Sequence, residues 1–369
     1  PNLRFVTSDI PDLTWVPELD EKVREGIIRP GMRKILDEVV AALTSPLTEE
    51  EKTPFVKDNS MAEPFEVESL DGIHDLFYRK GWTTGLPIVP PTEEAVREML
   101  RGTDLPPDTV VAELPPMMGQ ATVEKIAVNA VMAGCLPTHM PILIAAVKAI
   151  SQPIIRLEGW TCSVASWCPI IVVSGKVAED IGMNNRATAL SQYNKASATI
   201  ARAYSYIIMN IAGVRGGEED LSETGHEARM GICICDSIAE DNPWKPLHVD
   251  FGLEESDSAV TMFWAQERYE GHGYDAESCF KSMYRCVYGG WDRGCCYVMS
   301  PGFARVLNNS GFTSRKAVLN YVQQYCRYSA ANINFRWMYD NNHVPEGVVL
   351  PVSKDESAPV FWSTDHMMI

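Results

Sequence analysis

The stretch that most constrains this chain is residues 120–150, QATVEKIAVNAVMAGCLPTHMPILIAAVKAI. It reads as two apolar helices joined by a tight Gly134-Cys135-Leu136-Pro137 turn, because glycine and proline interrupt an otherwise helical pattern there. A pair this apolar belongs inside a larger body. It also carries reactive residue types at its helix ends: Cys135 and His139 at the joint, and Glu124, Lys125 and Asn129 on the first helix.

The chain is long enough to provide that body. Its 369 residues suit one large or two ordinary domains, and 46% hydrophobic with 22% charged residues describes a folded chain with a sizeable core. A formal charge of −17 argues against tracking the phosphates of nucleic acid or an anionic membrane surface, both of which need clustered Lys and Arg. No apolar run reaches the ~18 residues of a membrane span, and the first residues lack the basic-then-apolar order of a secretory signal. Ten cysteines lie mostly in apolar runs, as in ICIC and CCYVM, where reduced, buried thiols are expected. Together these features predict a cytoplasmic protein.

Residues 1–65 read as an N-terminal arm and linker, and residues 66–369 as a single α/β or α+β body. Within the arm, residues 20–43 suit one or two helices interrupted at Arg29-Pro30-Gly31, and residues 45–64 have the Pro, Glu, Lys and Ser content of a linker. Such an arm either wraps a neighbouring subunit, making the protein an oligomer, or packs on its own body. In the body, helices are expected at 70–79, 93–101 (capped by Thr92), 196–211, 303–307 and 313–327 (capped by Thr313). Strands are expected at 110–114, 170–174, 230–236, 259–264 and 295–300. Strands interleaved with helices predict a layered mixed sheet flanked by helices.

Cys135 is the first candidate for chemistry. Thr138 is expected to cap the second helix, placing His139 in its first turn, and a cation or helix N-terminus beside a thiol lowers its pKa towards a nucleophilic thiolate. Glu124 shares the face of Cys135 and is the candidate for proton transfer. The opposing reading of Cys135 is a small packing residue. Lys125 and Asn129 share another face and are candidates to hold a carboxylate or carbonyl. Arg202 sits in TIARAYSYIIMN, where a guanidinium among apolar neighbours needs an anion, either a substrate carboxylate or a structural Asp or Glu.

Asp220, His226 and His248 are secondary candidates for acid–base work. The glycine-rich 213–220 turn follows a helix and lacks the spacing of a phosphate loop. Cys162 and Cys168, Cys233 and Cys235, and Cys295 and Cys296 do not have the paired spacing of a zinc site, so no metal ligand is assigned. No Gly-x-Ser-x-Gly elbow is present, and nothing names a cofactor.

Four segments, GLPIVPPTEEAVREML, ATVEKIAVNAVMAGCLPTHMPILIAAVKAI, ARAYSYIIMNIAGVRGGEEDLSETG and NPWKPLHVDFG, resemble a bacterial family whose members accompany small proteins bearing a UGSC motif, Sec or Cys followed by Gly-Ser-Cys. The resemblance covers most of residues 70–265 and parts of 290–330. It implies a two-component system in which a small thiol or selenol protein supplies redox or nucleophilic chemistry; this chain has no Gly-Ser-Cys of its own. Two stretches depart from the pattern. Gly225-His226-Glu227-Ala228-Arg229 stands where the family tends to have Gly-Gln-Pro-Gly-Lys, and Pro301-Gly302-Phe303-Ala304 stands where it has Pro-Glu-His-Ala.

The residues and the resemblance predict an enzyme, or its large subunit, that transforms a small polar or carboxylated molecule by thiol-dependent lyase or redox chemistry. Cys135, His139 and Glu124 would be catalytic, with Lys125, Asn129 and Arg202 holding the substrate. The alternatives are a non-catalytic scaffold subunit and a metalloenzyme with Cys and His ligands.

Overall fold

The computed structural model describes residues 25–26, 29–52, 66–67, 69–185, 187–236, 242–265, 272–285 and 295–325, together with short strands at 327–329, 357–359 and 367–368. The chain divides into two units, Pro1–Pro64 with Asn332–Leu350, and Phe65–Ala331 with Pro351–Ile369. In the first unit, α1 (Arg29–Thr44) carries Pro30 in its opening turn, where the missing N–H would have no intrahelical partner anyway. The expected interruption at Arg29-Pro30-Gly31 is therefore a helix start. A short α2 (Glu49–Lys52) follows. Whether the arm grips a neighbour turns largely on residues 1–24 and 53–65, which lie outside the described residues.

The second unit opens with α3 (Leu70–Arg79), capped by Ser69, and α4 (Glu93–Leu100), capped by Thr92 as its sequence predicts. A hairpin of β1 (Val110–Leu114) and antiparallel β2 (Gly119–Thr122) leads into α5 (Val123–Ala133). The apolar pair is thus a strand end plus two helices. A Cβ on Gly119 would sit 1.9 Å from the Ile211 carbonyl oxygen, so only glycine lets the hairpin lie against the distant backbone there.

Thr122 caps α5, and Gly134, at φ 83°, ends it in the left-handed conformation that glycine adopts without strain. A 3-10 turn, Pro137–His139, then feeds α6 (Met140–Ile150). Thr138 lies inside this turn and makes no cap, contrary to the sequence expectation, because helix α6 begins two residues later.

After α7 (Leu157–Thr161), a three-stranded sheet is built around β3 (Cys168–Ser174), which is buried along its whole length. Following α8 (Lys176–Asp180), α9 (Lys195–Ile207) continues into a π turn, Ile208–Ala212. Strand β4 (Ile232–Cys235) pairs parallel to β3 on one side, and after α10 (Leu247–Asp250), β5 (Ala259–Ala265) pairs antiparallel on the other.

Each strand sends alternate side chains to opposite faces. Ile171, Val173, Cys233, Cys235, Met262 and Trp264 join the large core under α5, α6 and α9, while Cys168, Ile170, Val172 and Ile234 pack with Leu247 on the other face. This is the mixed, helix-flanked α/β or α+β layering that the sequence predicts.

A second core gathers α11 (Ala276–Arg285), α12 (Pro301–Asn309) and α13 (Arg315–Tyr325) around Phe280, Leu307 and Val318. Between α11 and α12, β6 (Cys295–Cys296) is far shorter than the expected 295–300 strand. Its partner is β9 (Met367–Met368), and β7 (Arg327–Ser329) pairs with β8 (Ser357–Pro359). The Ser314 hydroxyl, not that of Thr313, accepts the Ala317 N–H at the start of α13. Among the described residues, no single helix is long and apolar enough to cross a membrane.

Candidate functional site

The antiparallel seam between α5 and α9 brings together most of the residues singled out from sequence. At one end, Cys135 is buried and its Sγ donates to the Thr199 carbonyl oxygen at 3.3 Å. Burial pushes its thiol up to about 12, a shift that the Thr199 contact and the nearby Lys195 charge only partly oppose. His139 is fully buried one turn away; its Nδ1 accepts the Leu136 N–H at 3.3 Å and lies 3.4 Å from the Thr199 hydroxyl. Burial, then Lys195, lowers it to about 4.

These shifts reverse the expected activation. The sequence reading has His139 as the base that activates Cys135 to an anionic sulfur, whereas the structure holds a protonated thiol and an imidazole whose basicity is lowered. Desolvation disfavours both charged forms; at Cys135 it outweighs the Lys195 charge, and at His139 that charge adds to it. Iodoacetamide at pH 8 is accordingly expected to leave Cys135 unlabelled in the native protein and to label it after unfolding; stoichiometric native labelling, read by peptide mass, would contradict this.

Asn129 lies at the other end of the seam. It is 3% exposed, its Nδ2 donates to the Lys125 carbonyl at 2.8 Å, and its Oδ1 accepts from Asn210 Nδ2 at 2.7 Å. Asn210 sits in the π turn that closes α9 and also donates to the Trp82 carbonyl at 3.1 Å. Its own Oδ1 is buried without a donor. Inserted π turns are found disproportionately at functional positions.

The segment from Trp82 to Val89 runs along this seam as a strap. It is fixed at Trp82 by Asn210, in the middle by Arg202, and at Val89, whose N–H donates to the Met132 carbonyl at 3.3 Å. Arg202 donates from Nη2 to the Pro87 carbonyl at 2.7 Å and from Nη2 and Nε to the Tyr206 hydroxyl at 2.8 and 3.1 Å, with its guanidinium over the Tyr206 ring. All these partners are neutral. Among the described residues, no carboxylate lies within ion-pair distance of Arg202 or Lys125. Glu124 and Lys125 are half-buried on the first turn of α5, about three helical turns from Cys135.

The seam therefore joins Asn129 and Arg202 through the strap, and it keeps Cys135 with His139. It does not bring Glu124 to the thiol. Lys195, Thr199, Tyr206 and Asn210 complete it, and the only advance sign of them was their place on the apolar helix α9.

Asp220 and His226 lie in a second place. Asp220 Oδ2 pairs with Arg229 at 2.7 Å, and Arg229 also donates to the Trp167 and Thr161 carbonyls at 2.8 and 3.2 Å. His226 Nδ1 accepts the Ala228 N–H at 3.0 Å, the role of a turn-forming residue.

His248 lies in a third place, at the carboxyl ends of β3 and β4. It is 1% exposed, with Nδ1 3.0 Å from the Ser174 hydroxyl and Nε2 3.0 Å from the Glu254 carbonyl. Beside it, Arg315 donates from Nη2 to Asp236 Oδ1 at 3.2 Å and from Nη1 to Asp250 Oδ2 at 3.3 Å, and lies over the Trp244 ring. The pairing of Ser174 with His248 resembles a nucleophile and its base, but both side chains are sealed from solvent.

Among the described residues, no group of three His, Cys, Asp or Glu side chains is placed to hold a metal ion. No family model matches the chain, and comparisons with curated proteins and with solved structures give no match.

Proposed function

We propose that the chain is the substrate-holding component of an enzyme acting on a small carboxylated molecule, bound along the α5–α9 seam. The observation that carries this reading is Arg202. A guanidinium set among apolar neighbours, oriented by Tyr206 and two strap carbonyls yet without a carboxylate, is prepared to receive one. The donor-less Oδ1 of Asn210 adds a second requirement, a hydroxyl or amino group on the same molecule.

The reactive thiol is assigned to a partner, a small thiol- or selenol-bearing protein. Cys135, Cys168, Cys233, Cys235 and Cys279 are all held above their ordinary value, chiefly by burial, so these sulfurs stay protonated and poorly nucleophilic. A sulfur supplied from outside does not face that penalty.

The test is calorimetric titration of the full chain with malate, with succinamide as the uncharged control. Malate is expected to bind, succinamide is not, and Arg202→Gln is expected to weaken malate by at least about tenfold, the loss of one charge-assisted pair. Equal binding of malate by parent and folded variant would sink the reading.

A further inference from the structure

Helix α1, in the first unit, leaves an apolar stripe in solvent. Met32, Leu36, Val40 and Leu43 follow one another at spacings of four, four and three, which keeps them on one side of the helix. All four are between 49% and 80% exposed. Ile35, Val39 and Ala42, on the adjoining face, are half-buried, so the stripe is the uncovered part of a wider apolar arc. Taking such side chains out of water is the main drive to association.

The charges beside the stripe indicate what covers it. The other cations of the helix are paired within the chain, Arg29 with Glu25 at 2.8 Å and Lys34 with Glu38 at 3.9 Å. Arg33 and Asp37 differ from them. Both are exposed, both lie along the same flank of the stripe about one turn apart, and neither has an ion-pair partner among the described residues. Arginine four residues ahead of an acid is the less favourable order for a pair within one helix. A flank with one unpaired cation and one unpaired anion favours neither an acidic nor a basic partner. It is complementary to itself.

Self-complementarity fixes the arrangement. Two copies related by a two-fold axis normal to the plane of the helix pair run antiparallel and set the same flank against the same flank, the isologous case. With the axis beside Leu36, that leucine faces its counterpart, Met32 faces Val40, and Arg33 of each copy reaches Asp37 of the other. A parallel pair sets this flank against Ile35, Val39 and Ala42 instead, and leaves both charges beside apolar side chains.

We propose that α1 pairs antiparallel with α1 of a second copy through this stripe, making the protein a homodimer. Its 16 residues give a helix about 24 Å long. One face of it offers less than the ~800 Å² a side of a standard interface, so the dimer is expected to have roughly micromolar affinity. The pairing needs nothing of the α5–α9 seam.

Sedimentation equilibrium of the full chain tests this. The parent is expected to pass from monomer to dimer through the micromolar range, and a parent still monomeric at about 100 μM would overturn the proposal. Arg33→Asp and Asp37→Arg each set like charges against one another at both ends of the pairing, and each alone is expected to dimerise at least about tenfold more weakly. Mixed in equal amounts, the two variants are expected to recover the parent affinity, because an all-acidic flank then meets an all-basic one. Both positions are exposed, so the circular dichroism of each variant is expected to match that of the parent. Variants that dimerise like the parent, or a mixture that associates no better than either variant alone, would overturn the pairing.

Discussion

Replacing Arg315 by Met is expected to destabilise the protein by about 3–5 kcal/mol, the range for removing one partner of a buried ion pair. Arg315 is 5% exposed and reaches from α13, in the second core, to Asp236 at the carboxyl end of β4 and Asp250 on α10. Burial pushes the Asp236 carboxyl up; Arg315 is the largest influence opposing this, followed by the Leu247 N–H. Without the guanidinium, the carboxylate is left desolvated with that single N–H, and Trp244 loses the cation over its ring. The cost should therefore fall largely on Asp236. Asp236→Asn in the Arg315→Met background keeps an acceptor for Leu247 and removes the stranded charge, so the double variant should recover part of the loss. Urea unfolding with an unchanged denaturant slope checks this. A single-variant loss below about 1 kcal/mol, or no recovery in the double, would show that the pair is already solvated.

That cluster illustrates which features could be read in advance. Helix α9 was legible because Ile200, Ala203, Tyr204, Ile207 and Ile211 repeat at helical spacing, and β3 because four apolar residues, Ile170 to Val173, are followed by Ser174 and a closing Gly175. Both signals are local. The meeting of Asp236 with Arg315, 79 positions later, is fixed only when the second core docks on the sheet. Strand β2 was missed because Gly119-Gln120-Ala121-Thr122 has little strand propensity, and it forms because Gly119 can lie against Ile211.

The candidate substrate residues Asn129 and Arg202 were visible as polar groups on apolar helices, and the structure does place them on one seam. The chemistry of Cys135 was misjudged for a different reason. Sequence spacing shows that a histidine and a cysteine are neighbours but says nothing of how deeply they are buried, and burial sets the direction of both pKa shifts.

His139 makes the second large prediction, an acid sensitivity of the fold. In the native protein its imidazole is lowered to about 4, whereas in the unfolded chain it titrates near its ordinary 6.5. Between those values the unfolded state binds a proton that the native state refuses. Stability contributed by keeping His139 neutral is therefore complete above about pH 6.5 and drains away as the pH falls towards 4. A shift of this size corresponds to about 3 kcal/mol over the window. The structural reason is that Nδ1 accepts the Leu136 N–H, so an added proton there would break the turn that joins α5 to α6 as well as place a charge in the core beside Lys195. Carboxylates elsewhere also titrate on this limb, so the informative quantity is the difference between the parent and His139→Asn, which retains an acceptor but cannot charge. Urea midpoints measured from pH 7 to 4.5 should converge for the two proteins as the medium becomes acidic, the variant losing less stability with each step. Parallel curves would mean that His139 is protonated as easily in the fold as outside it, and the seam would then have to be open to water at its Cys135 end.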